Sequence, residues 1–280
     1  MRPARVALTV LALPLIAVLA VALIAGQRAP LYRDPPRDLP WVLPDYRQAD
    51  TRWEVDELGR IQAEVQHFFL QGISPDMVAW FYQQLPVASV DYRGRRYPLY
   101  HIFHPTEHGR LRVIEPATDG RPGMGPGAVI EREEWFGPYD SSGAARLVEF
   151  SDAGMLAVPD AMGINIGQIR HIYRARDGGT DYRVEATIGS DLPVLGRMIN
   201  YYLRTRVFHP KLMEQWQRHQ VEEVASLQFF LPALYAQREA GSPYRLGAPE
   251  EVRLKSDGKA NANPIRSADS SDPPPNLENL

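Results

Sequence analysis

An α+β domain, with a curved antiparallel sheet gripping one long C-terminal helix, is the fold class this sequence predicts. Three observations carry it. Short alternating segments follow one another between residues 61 and 188. A hairpin signal, Asp177-Gly178-Gly179, sits between two of them. A proline-led apolar stripe then runs from Pro210. Strands first and a helix last is an α+β order. A sheet closed over a helix leaves a cavity, the kind of place that takes a small apolar molecule.

In chain order, Ile61 to Phe69 alternates like a half-buried strand. Ser74-Pro75-Asp76 starts a helix carrying Met77, Trp80 and Phe81 that stops near Pro86. Strands are expected at Leu99 to Phe103, Arg110 to Glu115, Ala128 to Trp135, Arg146 to Phe150, Gln168 to Ala175 and Tyr182 to Ile188. The long helix covers Lys211 to Phe230, and Pro232 bends or ends it. No internal repeat is present.

The ends differ from the middle. Met1 to Arg5 is basic, and Val6 to Ala25 is uncharged and apolar. A span of about twenty apolar residues is long enough to cross a bilayer. Residues 1–26 are therefore expected to be a transmembrane signal anchor that exports the rest of the chain. A cleaved signal peptide is the alternative, and Ala20, Ala22 and Ala25 offer it only poor sites. Residues 27–50, rich in proline and arginine, are expected to be a tether. Residues 51–240 form the folded domain, with its start near Trp53, and 241–280 a disordered polar tail.

Bulk composition excludes several functions. The 280 residues carry a net charge of −3, so no electrostatic footprint for nucleic acid exists. The absence of cysteine removes disulfides, thiolate zinc sites and a cysteine nucleophile. No serine-hydrolase elbow, phosphate-binding glycine loop or EF-hand is found.

Histidine placement is more informative. Four of the seven histidines fall in two segments, Tyr100-His101-Ile102-Phe103-His104-Pro105-Thr106-Glu107-His108 and Arg218-His219-Gln220-Val221-Glu222-Glu223. On the helix, Leu212, Trp216, His219, Glu223, Leu227, Phe230 and Leu234 form one core-facing stripe. His219 and Glu223 interrupt it one turn apart. A buried carboxylate must be neutralised. A self-satisfied His–Glu pair or an arginine would do so; so would a metal ion, since residues at i and i+4 point the same way. Glu222 points about 100° away and is expected to see solvent. Pro105 ends strand pairing, which lets His104 and His108 aim into a cavity mouth or simply pack. In Ile130-Glu131-Arg132-Glu133-Glu134-Trp135, Glu131 and Glu133 share one strand face and Glu134 takes the other. Each of them is a candidate ligand or part of a solvated acidic edge.

Taken together, these motifs resemble the 2,4-diacetylphloroglucinol hydrolase family, which includes phloretin hydrolases. The likeness rests on Tyr100 through His108 as a tyrosine-led His-Pro-x-x-His. It rests also on His171-x-x-Arg174 with Gly178-Gly179 and Arg183, and on His219-x-x-x-Glu223 with the run Leu231-Pro232-Ala233-Leu234-Tyr235 after it. It spans roughly residues 60 to 237. The chain departs from the family in its apolar N-terminus, its polar tail, and Phe103 where many members have tryptophan.

The resemblance implies a START-like helix-grip fold and one Zn2+ held by His108, Glu134, His219 and Glu223, with Glu131 and Glu133 in reserve for Glu134. It implies a hydrolase that cleaves a carbon–carbon bond in an acylated phenolic ketone. Tyr100 would touch substrate; Tyr100, His104 or Glu107 would give the proton. Zinc with nitrogen and oxygen ligands is a Lewis acid toward a carbonyl. The competing expectation is a non-catalytic, membrane-anchored helix-grip protein that binds or carries an apolar ligand.

Overall fold

The computed structural model describes residues 30–159, 166–193 and 195–247. The expected anchor at 1–26 lies outside them. Among the described residues, no helix is long and apolar enough to cross a membrane.

The main sheet is antiparallel throughout. Its strands are β1 (Asp50–Val55), β2 (Ile61–Gln66), β3 (Leu70–Gln71), β6 (His108–Glu115), β7 (Val129–Phe136), β8 (Tyr139–Ser151), β9 (Gly154–Pro159), β10 (Gly167–Arg176) and β11 (Gly179–Ile188). They lie in the order β1-β2-β11-β10-β9-β8-β7-β6, with β3 on β11. The period-two pattern is clearest on β11, where Thr180, Tyr182, Val184 and Ala186 are all buried. Val184 faces Val65 and Ala186 faces Ala63 across β2, so one apolar face is continuous. Gly178, at φ 81°, makes the β10–β11 turn that a side chain would strain.

The helix α4 (Pro210–Tyr235) lies in the grip of this face, after α1 (Pro75–Gln84), α2 (Leu99–Phe103) and α3 (Leu195–Tyr202). A π-helical turn, Leu203–Val207, joins α3 to α4. Helix α4 is buried on almost every side, from Leu212 to Leu234. Pro232 neither ends nor interrupts it. The carbonyl freed by the missing N–H belongs to Gln228, an exposed residue. A small second sheet, β12 (Tyr244–Arg245), β4 (Ser89–Tyr92) and β5 (Arg95–Pro98), stands beside α1.

Three local expectations are corrected. Leu99 to Phe103 is a helix turn, not a strand, because Leu99, Ile102 and Phe103 are i, i+3 and i+4 positions and all three are buried. The segment expected as a tether packs on the domain. Trp41 is buried against Phe229 and Phe230, with ring centroids 6.2 and 5.5 Å away. Burying such a ring contributes about 2–3 kcal/mol, enough to dock a proline-rich strap. The fold also passes residue 241. Tyr244 and Leu246 join the core, and Tyr244 pairs with Val90.

Candidate metal centre

The site is assembled where α2, the β6–β7 pair and α4 meet. His108 opens β6 and lies directly opposite Glu134 on β7. That register places both side chains on the face turned to α4. Glu131 and Glu133 take the other face, where Arg112 and Arg110 pair with them. From α4, His219 and Glu223 project into the same space one turn apart.

Four ligand-type atoms converge. His108 Nε2 is 3.2 Å from His219 Nε2 and 3.3 Å from Glu223 Oε2. His219 Nε2 is 3.6 Å from Glu223 Oε2 and 4.0 Å from Glu134 Oε2. A tetrahedral ion with ligands at about 2.0–2.1 Å has edges of about 3.3 Å. The three separations among His108, His219 and Glu223 lie within about 0.3 Å of it, and Glu134, at 4.0 Å from His219, stands farther off. His108 and His219 are fully buried, and Glu223 and Glu134 nearly so.

Hydrogen bonds on the far side of each ring decide what those atoms are. His108 Nδ1 is 2.7 Å from the carbonyl oxygen of Tyr100. A carbonyl only accepts, so Nδ1 carries the proton and Nε2 a lone pair. His219 Nδ1 donates to Glu107 Oε2 at 2.9 Å. Two ring lone pairs and two carboxylates therefore face one another in a dry interior. A proton or a metal ion between them would satisfy the cluster. One choice is a second proton on His219: burial opposes it, but Glu107 and Glu223 lift that imidazole to about 10. The other is a divalent metal, for which an outward Nδ1–H held by carboxylate or carbonyl is the usual support.

The surrounding charges agree with either cation. Burial pushes Glu223 up, with His219 pulling the other way. Burial also opposes the charge on Glu107, but His219, His104 and Arg218 hold it down at about 2. Burial and then the neighbouring imidazoles keep His108 well below the ordinary histidine range. Gln220 donates to Glu223 Oε1 at 2.6 Å, and Arg132 donates to Glu134 Oε1.

Tyr100 and His104 are placed differently from one another. Tyr100 comes from α2, not from the strand of His108. Its ring nonetheless stacks on His108 at 3.8 Å, and its hydroxyl donates to Glu134 Oε2 at 2.9 Å. His104 stacks on His219 from behind at 4.6 Å. Its Nδ1 accepts the backbone N–H groups of Thr106 and Glu107, and its Nε2–H donates to Glu222. Both nitrogens are committed inside the protein, so the geometry gives His104 no open face for a substrate.

Glu222 is the main correction in this region. It does not face solvent; it bonds His104 Nε2 at 3.2 Å and accepts from Arg218. The helical angle separates it from Glu223, but the β6 approach covers that flank too. Sequence reasoning leaves Glu107 as one of three proton donors. The structure makes it the partner of His219 and Arg218 and the acceptor of the Gly137 N–H at 2.8 Å. Its position between His104 and His108 in sequence is the signal that could have found it.

Another buried polar group lies deeper under the sheet. Tyr182 Oη is 2.6 Å from both Tyr82 Oη and His171 Nδ1. His171 belongs to the motif that carries the family resemblance, and it is not part of the convergent cluster.

No family model matches this chain, and no curated protein matches it. Solved structures do. A START superfamily protein from Mycobacterium smegmatis aligns at 12% identity and a TM-score of 0.37, covering 59% of this chain and 93% of that one. Protein Ms6760 from the same organism aligns at 11% and 0.39, covering 64% and 95%. Ara h 8.0201 aligns at 12% and 0.34, covering 60% and 97%. The functional reading rests on the residues of the site.

Proposed function

We propose that this protein is a metal-dependent hydrolase of a small acylated aromatic ketone, with a divalent ion such as zinc held by His108, His219, Glu223 and Glu134. One observation carries the proposal: two histidine Nε2 atoms meet at 3.2 Å beside a carboxylate oxygen, with both Nδ1 atoms bonded elsewhere. Bound there, the ion would polarise a substrate carbonyl and activate water, provided it took a ligand beyond its four protein ligands. The chain's own groups would do the rest. Glu107 and the Tyr100 carbonyl fix the two imidazole orientations. The Tyr100 hydroxyl, beside Glu134 and with its ring against His108, would orient a substrate or pass a proton. In the net reaction, water adds its hydroxyl to the acyl carbon and its proton to the ring carbon. The aryl–acyl bond breaks, and a carboxylic acid and the deacylated ring result.

A second reading, a non-catalytic helix-grip protein that binds or carries an apolar ligand, is favoured by the closure of the cluster. His104, His108 and His219 are wholly enclosed. Two cavities, of about 370 and 460 Å³, lie elsewhere, at Arg197–Arg206 and around His67 and Arg174. Elemental analysis of the chain purified without a metal column separates the readings, together with a panel of acylated phenols assayed with and without chelator. About one zinc per chain and chelator-sensitive acid release support the hydrolase. A folded, metal-free protein that binds the panel without turnover supports the carrier.

A further inference from the structure

The stretch from Leu192 to Met213 contains no aspartate or glutamate, yet it holds Arg197, Arg204, Arg206 and Lys211. It covers α3, the π turn and the start of α4. Several strand arginines are matched to carboxylates: Arg110 with Glu133, Arg146 with Glu115, Arg170 with Glu149. Among the described residues, none of these four cations makes an ion pair. Arg204 instead lies over the Tyr201 ring at 5.4 Å, and its Nε has no hydrogen-bond partner.

The same surface shows apolar side chains to solvent. Leu192 and Met198 are each 41% exposed and Tyr201 61%. Helix α3 is amphipathic in the ordinary sense, since Ile199 is buried while Arg197, Met198 and Tyr201 project outward. An outer face that alternates long apolar groups with unpaired arginines is not explained by packing in the monomer. It matches an interface that is anionic at one depth and oily just below it.

We propose that this face, Leu192 to Lys211, docks on the surface of an anionic phospholipid bilayer. Charge complementarity is the first reason: the chain as a whole is acidic, yet this patch carries four cations with no carboxylate within its own stretch. The placement of the N-terminus is the second. The uncharged segment Val6 to Ala25 precedes, by four residues, the described chain, which begins at Pro30. There Leu31 N–H donates to Asp140 Oδ2 at 3.0 Å, and Arg33 binds Asp140 as well. Tyr139, next along β8, packs its ring on His209 at 4.9 Å, and His209 is the cap between the π turn and α4. The described chain thus begins in the same region of the domain as the basic face.

The full chain has no cysteine, so Met198→Cys creates a single thiol for a fluorescent label. Val148→Cys, 47% exposed on β8, is the control position. The chain is mixed with phosphatidylglycerol or phosphatidylcholine vesicles and quenched with aqueous iodide. Shielding of the label at 198 by phosphatidylglycerol alone, with the label at 148 still quenched, is expected. Arg197→Glu with Arg206→Glu, both at exposed positions, should reduce that shielding at least about tenfold, as should high salt. Equal quenching at 198 with and without phosphatidylglycerol overturns the proposal. So does equal shielding by both lipids, or shielding by an oligonucleotide in place of vesicles.

Discussion

Glu107 and His219, 112 residues apart in sequence, are joined through Oε2 and Nδ1 at 2.9 Å. That bond fixes which nitrogen of His219 faces the cluster. Glu107→Ala is therefore expected to weaken zinc affinity about 10–100-fold, the usual cost of losing such a support. Glu107→Gln keeps an acceptor for the Nδ1–H and should lose less. Competition titration with a chromogenic chelator measures both. Equal affinity in all three proteins would remove the orienting role.

His219→Ala and Glu223→Ala should abolish stoichiometric metal, and Glu222→Ala should retain it. Glu222 bonds His104 and Arg218, not the convergent atoms. Its loss should appear in stability instead, by about 1–3 kcal/mol, because His104 Nε2–H is left unpaired in a dry place. Metal-to-protein ratios and urea unfolding report the two effects separately. Metal loss from Glu222→Ala comparable with that from Glu223→Ala would mean that the ligand set is wrong.

Tyr100→Phe removes one hydroxyl and its bond to Glu134. Metal content should stay near the parent value, because Arg132 still binds the other oxygen of Glu134. If the hydrolase reading holds, turnover of acylated phenols should fall about 100-fold or more, within the range that positioned acid–base groups supply. Chromatographic rates with metal analysis of the same sample check this. Unchanged turnover would leave the phenol a packing role only.

These variants also show where the sequence is informative. The stripe on α4 and the strand parity at Glu131 to Glu134 depend on local periodicity, which sequence carries directly. The pairing of His108 with Glu134 depends on a register across two strands, and the Glu107–His219 bond on how α4 lies in the sheet. Neither is local. Leu99 to Phe103 misleads because five apolar-rich residues suit a strand or a helix turn equally. Residues 30–49 mislead because proline and arginine composition says tether, while Trp41 alone supplies enough apolar surface to dock it. The basic run at Leu192 to Lys211 is readable as charge, but not as a face until α3 shows which residues point outward.

The last prediction concerns acid stability and uses a histidine outside the cluster. His67 is buried, neither ring nitrogen has a hydrogen-bond partner, and its ring packs 4.8 Å from Tyr182. Burial first, and His171 second, depress its pKa to about 3. In the unfolded chain the same group titrates at about 6.5. Between these values the unfolded state holds a proton that the folded state does not, so stability falls as pH drops below about 6.5. The loss is at most about 1.4 kcal/mol per pH unit for this one group, and it stops once pH passes the folded value. His67→Phe removes both the titration and the unpartnered nitrogens. It should raise stability at neutral pH by about 1 kcal/mol. It should also flatten the decline between about pH 6 and pH 4 relative to the parent, the carboxylate contributions being common to both proteins. Urea unfolding across that range measures the difference. Parallel curves would show that His67 is protonated, or partnered, in the folded state after all.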